Sequence, residues 1–301
     1  MHVKLWGTRG SLAAPGAETA RYGGNTSCVE VVGADGTLLV IDAGTGIRRL
    51  GADLAGSARR IDLLLTHLHL DHVQGLGFFS PLYDPTVEMH IWGPASTTAT
   101  LGTRLMRYLS PPLFPVHLRD VPCHLQLHEV PCGEFDIGEF HISAALVCHP
   151  GPTVGYRIVS PEGTIAYLSD HEPALGVQQF PGSPEWTSGF DLAANVDLLI
   201  HDAQYSAVEY PAHVGWGHSA IEHALAFAQL ANVKRLVPFH HDPAHGDDEL
   251  DRLLEDAVTA AACAFPVTPG IEGAVFVIGS TPPARKAVPA APQGTPARAS
   301  H

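Results

Sequence analysis

Short apolar runs alternate with longer amphipathic stretches along most of the 301-residue chain. Runs of four or five apolar residues are typical of strands that are buried in a sheet. They occupy residues 38–41, 61–65, 164–168, 196–200 and 235–239. The longer stretches predict helices over residues 96–109, 219–232 and 247–262. Strands that alternate with helices in this way predict an α/β fold built in layers.

The clearest helix signal lies in the segment 219–232. Ser219 and Glu222 have the spacing of a capping box, in which a serine hydroxyl accepts a hydrogen bond from an amide of the first turn. An apolar stripe then begins at Ile221 and repeats at helical spacing. The pattern therefore predicts a helix that starts at Ser219 and packs one face against the core.

A polar residue of a metal-binding type follows each of the five predicted strands. These residues are Asp42, His67, Asp170, Asp202 and His240. Active sites of α/β folds are built where the ends of several strands meet at one edge of a sheet. The pattern therefore predicts that these side chains come together in one site.

The strongest chemical signal is the segment THLHLDH, residues 66–72. If the chain stays extended after the strand, His67 and His69 project from the same side. Asp71 and His72 can then reach a second position nearby. Two imidazoles for one cation, and a carboxylate with an imidazole for another, match the ligand preferences of zinc and its neighbours. The 19 histidines and five cysteines, none in a CxxC pair, favour a catalytic over a structural metal.

Charge and hydropathy narrow the range of partners. The formal net charge is −14, from 31 acidic and 17 basic residues, which disfavours binding of nucleic acid. A small anionic substrate is still compatible, because bound metal ions reverse the potential locally. No apolar run approaches the roughly 18 residues that cross a bilayer, and the N-terminus lacks the apolar core of a signal peptide. These features predict a cytoplasmic protein with no membrane partner.

The pattern HxHxDH at residues 67–72 resembles the signature of the metallo-β-lactamase superfamily. Further segments that resemble the family follow its order along the chain, at residues 39–46, 147–150, 167–170 and 236–240. The resemblance implies an α/β fold of the four-layer αβ/βα sandwich type, in one hydrolase domain over residues 1–280. Composition separately predicts a disordered tail over residues 281–301, which are rich in proline and alanine.

The resemblance also implies a site for two divalent metal ions. The first ion would be held by His67, His69 and His149, the second by Asp71, His72 and His240, with Asp170 bridging both. Zinc is the expected metal, although manganese and iron suit the same ligands. Asp42 would either orient a ligand histidine through its other ring nitrogen or serve as a structural residue at a glycine turn.

Four other segments resemble the ribonuclease Z and phosphoribosyl cyclic phosphodiesterase branch of the superfamily: residues 5–11, 21–28, 155–157 and 217–219. This implies a phosphodiesterase that acts on a small cyclic nucleotide or a phosphoribosyl cyclic phosphate, by attack of metal-bound hydroxide. Asp71 would orient the nucleophile. His218 would contact the phosphate or protonate the leaving oxygen, and Asp202 would support His218. The lactamase branch places a cysteine where Asp170 stands, which disfavours a β-lactamase.

Two other activities remain open from the sequence. One is a tRNA 3′-processing nuclease, and the other is a lactonase or thioesterase on the same metal site. Ribonuclease Z-like enzymes grip tRNA with a basic, glycine-rich arm, and no such segment occurs here. The insertion over residues 93–131 is rich in proline, leucine and histidine, which predicts a lid or the contact of a homodimer.

Five more side chains lie near these segments, and their roles are predicted with the following alternatives. Arg9 either meets a phosphate or makes a structural ion pair. For His171 and His241, which directly follow proposed metal ligands, packing is expected rather than contact with substrate. His213 and Trp216 lie in a glycine-containing loop near His218 and are expected to shape the pocket.

Overall fold

The protein is described by a computed structural model, which covers residues 1–130, 133–174 and 179–279. The tail predicted over residues 281–301 lies outside the described residues, so it stays a prediction. Among the residues described, no helix combines the length and the apolarity that a bilayer span requires.

The described residues form thirteen strands and six α-helices. The strands are β1 (His2–Gly7), β2 (Cys28–Val32), β3 (Leu38–Ile41), β4 (Arg60–Leu64), β5 (Glu88–Pro94), β6 (His124–Val130), β7 (Gly133–Ile137), β8 (Phe140–Leu146), β9 (Val154–Ser160), β10 (Gly163–Leu168), β11 (Leu198–Asp202), β12 (Leu236–Phe239) and β13 (Val275–Val277). The helices are α1 (Ile47–Asp53), α2 (Leu70–Val73), α3 (Leu101–Leu105), α4 (Phe190–Ala193), α5 (Ile221–Leu230) and α6 (Asp247–Ala261).

The strands form two mixed sheets. One has the order β13-β1-β2-β3-β4-β5-β6 and the other the order β12-β11-β10-β9-β8-β7. Neighbours from β3 to β6 are parallel, and so are β10, β11 and β12. The remaining neighbours are antiparallel. Parallel strands end at the same edge of a sheet, so each sheet collects several carboxyl-terminal strand ends on one side.

The alternation of side chains along each central strand builds the layers. Leu39 and Ile41 of β3 enter the apolar cluster between the sheets, whereas Val40 faces a second cluster that contains α1. Likewise Tyr167 of β10 faces the other sheet, and Leu168 faces a third cluster that contains α5 and α6. A strand that is covered on both faces reads as a continuous apolar run, which explains the runs in the sequence. The predicted four-layer αβ/βα sandwich is thus confirmed.

The five predicted strands are present with shifts of up to two residues, but the predicted helix starts need correction. Ala220 rather than Ser219 occupies the N-cap of α5, and no side chain caps that helix. The Ser219 hydroxyl instead donates to the carbonyl of His171 at 2.6 Å, so the capping box is wrong. The helix predicted from residue 96 begins only at Leu101, because the Thr100 side chain accepts a hydrogen bond from the Thr103 amide and caps α3 there.

Candidate metal centre

The polar residues that follow the strands come together where the two sheets meet. Asp42 follows β3, Asp202 is the last residue of β11, and His240 follows β12. All three side chains have no solvent-exposed surface. Asp42 and His240 also have positive φ angles of 60°, in the left-handed region that non-glycine residues seldom adopt. The chain therefore turns sharply at these strand ends and directs the side chains inward.

One group of potential ligands comprises His67, His69, His149 and Asp170, whose ligand atoms all lie within 4.8 Å of one another. His149 Nε2 is 3.1 Å from His69 Nδ1. Asp170 Oδ2 is 3.6 Å from His67 Nε2 and 3.8 Å from His149 Nε2. Burial lowers the pKa values of His67 and His149, and partial loss of contact with water lowers that of the more exposed His69. Burial therefore favours their neutral form, which is the form that binds a metal ion.

A second group comprises Asp71, His72, Asp170 and His240, again with ligand atoms within 4.8 Å. Asp170 Oδ1 lies 2.9 Å from His72 Nε2 and 3.3 Å from His240 Nε2. Asp71 Oδ2 lies 3.2 Å from His240 Nε2. The two carboxylate oxygens of Asp170 therefore face the two groups separately, which is the arrangement expected of a bridging ligand.

The carboxylates dominate the electrostatics of the second group. Burial lowers the pKa of His72, but the carboxylates of Asp170 and Asp71 outweigh burial and raise this pKa well above its ordinary value. Burial raises the pKa of Asp170, but the imidazoles of His240 and His72 outweigh burial and lower this pKa far below its ordinary value. Negative charge is thus concentrated on Asp170 between the two groups, where it favours cations.

The donor set fits divalent cations. Two inward-facing atoms, His67 Nε2 and Asp170 Oδ1, are buried and have no hydrogen-bond partner of good geometry among the described residues. Leaving such an atom unsatisfied costs about 1–3 kcal/mol. Imidazole nitrogen and carboxylate oxygen together suit zinc, manganese and iron. A cation at each group would satisfy both atoms, so the residues present fit metal binding.

Further hydrogen bonds fix the orientation of the candidate ligands. His72 Nδ1 is 2.8 Å from Asp42 Oδ2, which favours the first of the two roles that the sequence left open for Asp42, that of orienting a ligand histidine. The Tyr167 hydroxyl donates to the same oxygen at 3.0 Å. His149 Nδ1 is 2.9 Å from the carbonyl oxygen of Gly217. Such contacts fix the tautomer and leave the other ring nitrogen free to face a metal.

His218 and Asp202 form a pair next to both groups. His218 Nδ1 is 2.7 Å from Asp202 Oδ2, and the His218 ring stacks on His240 with 5.0 Å between centroids. The amides of Ser219 and Gln204 both donate to Asp202 Oδ1 at 3.0 Å. Burial lowers the pKa of His218, but Asp202 outweighs burial and raises this pKa to about 9. The ligand atoms of Asp202, His218 and His240 also lie within 4.8 Å of one another.

Three residues to which the sequence assigned no individual role also support the site. The Ser11 amide donates to Asp71 Oδ2 at 2.7 Å, and Gln204 Oε1 is 3.1 Å from His240 Nδ1. Glu172, which is fully buried, accepts hydrogen bonds from the amides of Gly215 and Gly217, both at 2.9 Å. Glu172 thereby holds the loop that leads to His218. No local sequence pattern signals these contacts, because the partners are far apart in the chain.

Three of the remaining side chains that the sequence singled out are structural. Arg9 is fully buried and donates to the backbone carbonyls of Gly23 and His245, so it is structural. His171 and His241 are also buried and serve in packing; His171 Nδ1 is 2.9 Å from His201 Nε2, and His241 Nε2 is 2.9 Å from the carbonyl oxygen of Gly270.

Two cavities open beside the centre. His213 and Trp216 line a cavity of about 420 Å³ together with His218. A cavity of about 390 Å³ is lined by His67 and His69. A third, of about 850 Å³, lies at the opposite ends of β3 and β4 and contacts none of the candidate ligands, so its size does not make it the active site.

Comparison with known proteins places this site in a family. Residues 37–241 match the model of the beta-lactamase superfamily domain, and the chain belongs to this superfamily. Ribonuclease Z of Bacillus cereus (strain AH187) is 22% identical, and the match covers 80% of this chain and 91% of the relative.

Two solved structures show the same fold. The metallo-beta-lactamase fold protein YhfI from Bacillus subtilis superposes with a TM-score of 0.66 at 19% identity, over 92% of this chain and 99% of that chain. A diphosphatase from the PhnP family superposes with a TM-score of 0.65 at 16% identity, over 92% and 98% of the two chains. The chain is therefore a hydrolase of the metallo-β-lactamase fold whose His/Asp cluster fits divalent metal ions.

Proposed function

We propose that the protein is a dinuclear metal-dependent phosphodiesterase that acts on a small phosphodiester, such as a cyclic nucleotide or a phosphoribosyl cyclic phosphate. The observation that supports this most is the position of Asp170. Its two carboxylate oxygens face two separate groups of ligand atoms, with the His218–Asp202 pair directly beside them. Two metal sites and an adjacent proton donor suit the hydrolysis of a phosphodiester, whose alkoxide leaving group needs a proton.

The first cation would be held by His67, His69 and His149, the second by Asp71, His72 and His240, and both by Asp170. Zinc is the proposed metal. Bound there, a pair of divalent cations supplies Lewis-acid activation of a water molecule and of the phosphoryl group.

The side chains around the cations orient the reactants. Asp71 Oδ2 is held by the Ser11 amide at 2.7 Å, so this carboxylate can accept a hydrogen bond from the attacking water in a fixed direction. Asp202 occupies Nδ1 of His218, which leaves Nε2 as the atom that carries a proton to the leaving oxygen. His218 lines the cavity of about 420 Å³, where a leaving group can be accommodated.

A tRNA-processing nuclease is the second candidate, because the relative from Bacillus cereus is named ribonuclease Z. Electrostatics favour the small substrate. The chain carries a net charge of −14, and the cavity beside His218 is lined by Glu209 and Asp242 and by no lysine or arginine among the described residues. A polynucleotide would place phosphates against these carboxylates, which repel them. Lactone and thioester hydrolysis would use the same ligands and remain alternatives for the assay.

Hydrolysis of bis(p-nitrophenyl) phosphate by purified protein tests the proposal, before and after chelation and after addition of zinc or manganese. We expect metal-dependent release of nitrophenol and loss of activity in Asp170→Asn. The matched control is Asp136→Asn, since Asp136 is an exposed carboxylate on β7. Cleavage of a lactone or thioester without any phosphodiester cleavage would refute the proposal. Strong preference for a tRNA precursor over cyclic nucleotides would favour the nuclease.

A further inference from the structure

The two cavities beside the candidate metal centre differ in charge. The acidic pocket is lined by Tyr205, Glu209, His213, Trp216, His218 and Asp242. The basic pocket is lined by His67, His69, Arg104, Arg107, Tyr108 and Leu113. The basic pocket includes the candidate ligands His67 and His69, and the acidic pocket includes His218, whose ring stacks on His240, so a substrate at the centre can extend into both.

The acidic pocket suits an uncharged group. Its two carboxylates, Glu209 and Asp242, disfavour a phosphate and can accept hydrogen bonds from hydroxyl groups. Its aromatic wall is formed by His213, which stacks on Tyr205 with 4.2 Å between centroids, and by Trp216, which is 59% exposed. His218 also lines this pocket, so the group that occupies it is the one whose oxygen would be protonated.

The basic pocket suits an apolar body that carries a negative charge. Leu70 and Leu113 line it although their side chains are 56% and 69% exposed. Arg107 is exposed at the same cavity, and no ion pair of Arg107 occurs among the described residues. Arg104 donates from Nη2 to the carbonyl of Pro94, while its buried Nε has no hydrogen-bond partner in the described chain. Among the described residues neither guanidinium forms an ion pair with a carboxylate, and the charge of Glu129 acts on Arg104 only from a greater distance.

We propose that the basic pocket binds a second oxyanion, either a phosphate or a carboxylate, and that Arg107 recognises this oxyanion. The oxyanion belongs to the part of the substrate that keeps the reacting phosphate after cleavage. This inference rests on the proposed phosphodiesterase activity. The leaving oxygen, with the uncharged group that carries it, would then face the acidic pocket, and an apolar or aromatic portion with the additional oxyanion would lie in the basic pocket. In a cyclic phosphodiester both portions belong to one molecule, and in an open phosphodiester the group in the acidic pocket leaves as an alcohol. A guanidinium binds such an oxyanion through two parallel hydrogen bonds. A cavity of about 390 Å³ matches a nucleoside-sized group rather than a folded RNA.

Two substrates that differ by one phosphate test this inference: p-nitrophenyl thymidine 5′-phosphate, and the same ester with a 3′-phosphate. In both, nitrophenol leaves and thymidine keeps the reacting phosphate. We expect the metal-loaded full chain to show a kcat/KM that is about tenfold or more higher for the 3′-phosphorylated ester, the effect of one charge-assisted hydrogen bond. Arg107→Gln should remove this preference, so that the ratio of kcat/KM between the two esters falls to about one.

Arg119→Gln is the matched control. Arg119 is an exposed arginine of the same insertion that lies outside the basic pocket and pairs with Asp120 at 3.7 Å. Its variant should keep the preference. Loss of the preference in both variants would indicate a general charge effect and would overturn the inference.

A binding measurement separates the inference from the proposed function. Calorimetric dissociation constants for thymidine 3′,5′-bisphosphate and thymidine 5′-phosphate should show the same preference in the wild type and its loss in Arg107→Gln. If the wild type cleaves both esters equally and binds both nucleotides equally, the inference is wrong and the phosphodiesterase proposal stands. If neither ester is cleaved but the Arg107-dependent binding preference is present, the pocket stands and the phosphodiesterase proposal is wrong.

Discussion

Replacement of His218 by alanine should slow the cleavage of alkyl phosphodiesters far more than that of aryl phosphodiesters. The His218 side chain is only 11% exposed, and its Nδ1 is held 2.7 Å from Asp202 Oδ2, which in turn accepts a hydrogen bond from the His171 amide at 3.3 Å. The ring is thus fixed with Nε2 as the donor atom. A positioned general acid contributes about 10²–10⁴-fold to rate, or about 2.7–5.4 kcal/mol of barrier.

The assay compares kcat for a cyclic nucleotide that the wild type cleaves with kcat for bis(p-nitrophenyl) phosphate. A ribose oxygen needs a proton to leave, so the variant should lose about 10²–10⁴-fold on the cyclic nucleotide. Nitrophenolate leaves without protonation, so the loss on the aryl ester should stay below about tenfold. His213→Ala is the matched control, because His213 lines the same cavity but bonds through Nδ1 to the backbone carbonyl of Glu209 at 2.8 Å.

Equal losses on the two substrates would refute proton donation by His218. Metal content must be measured on the same samples and should be unchanged in the variant. Loss of metal in the variant would instead show that His218 is a metal ligand. The ligand atoms of Asp202, His218 and His240 lie close enough together to hold an ion in that case.

Three further predictions concern the ligands and the loop that supports them. Asp71→Ala should abolish turnover, because it removes a ligand of the second group. The metal content measured by mass spectrometry should fall from two ions per chain toward one. Near-normal activity in this variant would contradict the mechanism. Gly217→Ala should weaken metal binding, because Gly217 has a φ of +87° and an added Cβ would lie 2.4 Å from His149 Nδ1. The control is Gly215→Ala, at a φ of +86° with nothing within 4 Å of the added Cβ. It should cost only about 1–2 kcal/mol of stability and leave metal affinity intact. Equal metal affinities in the two variants would exclude a clash between residue 217 and His149. Glu172→Gln should lower the free energy of unfolding by about 1–3 kcal/mol in a denaturant titration, because Gln places amide hydrogens against backbone donors; unchanged stability would mean that the carboxylate does not hold this loop.

The sequence was informative where a local pattern determines the structure. The strand before Asp42 is apolar and continuous because it is buried on both faces, so the strand and its polar end could both be predicted. The spacing of His67, His69, Asp71 and His72 likewise indicated two adjacent positions for cations. The pattern of polar strand ends already included Asp170 in the site, but its bridging role and the inclusion of His149 came from family resemblance, since no periodicity relates them to residue 67.

Contacts between distant segments were not predictable in this way. Ser219 has the spacing of a capping residue, but its amide donates to Asp202 and its hydroxyl to the carbonyl of His171, so tertiary contacts override the local preference. Glu172 is 43 residues from Gly215, and only the fold brings its carboxylate to that amide. The charge of Arg107 was visible in the sequence, but its position beside His67 and His69 required the structure.

The central claim is that two metal ions are bound with Asp170 between them. Anomalous diffraction from crystals of the metal-loaded protein, collected above and below the absorption edge of zinc, tests it most directly. The account predicts two anomalous peaks, one at His67, His69 and His149 and the other at Asp71, His72 and His240, with one oxygen of Asp170 toward each. A single peak, or a peak at Asp202, His218 and His240, would contradict it.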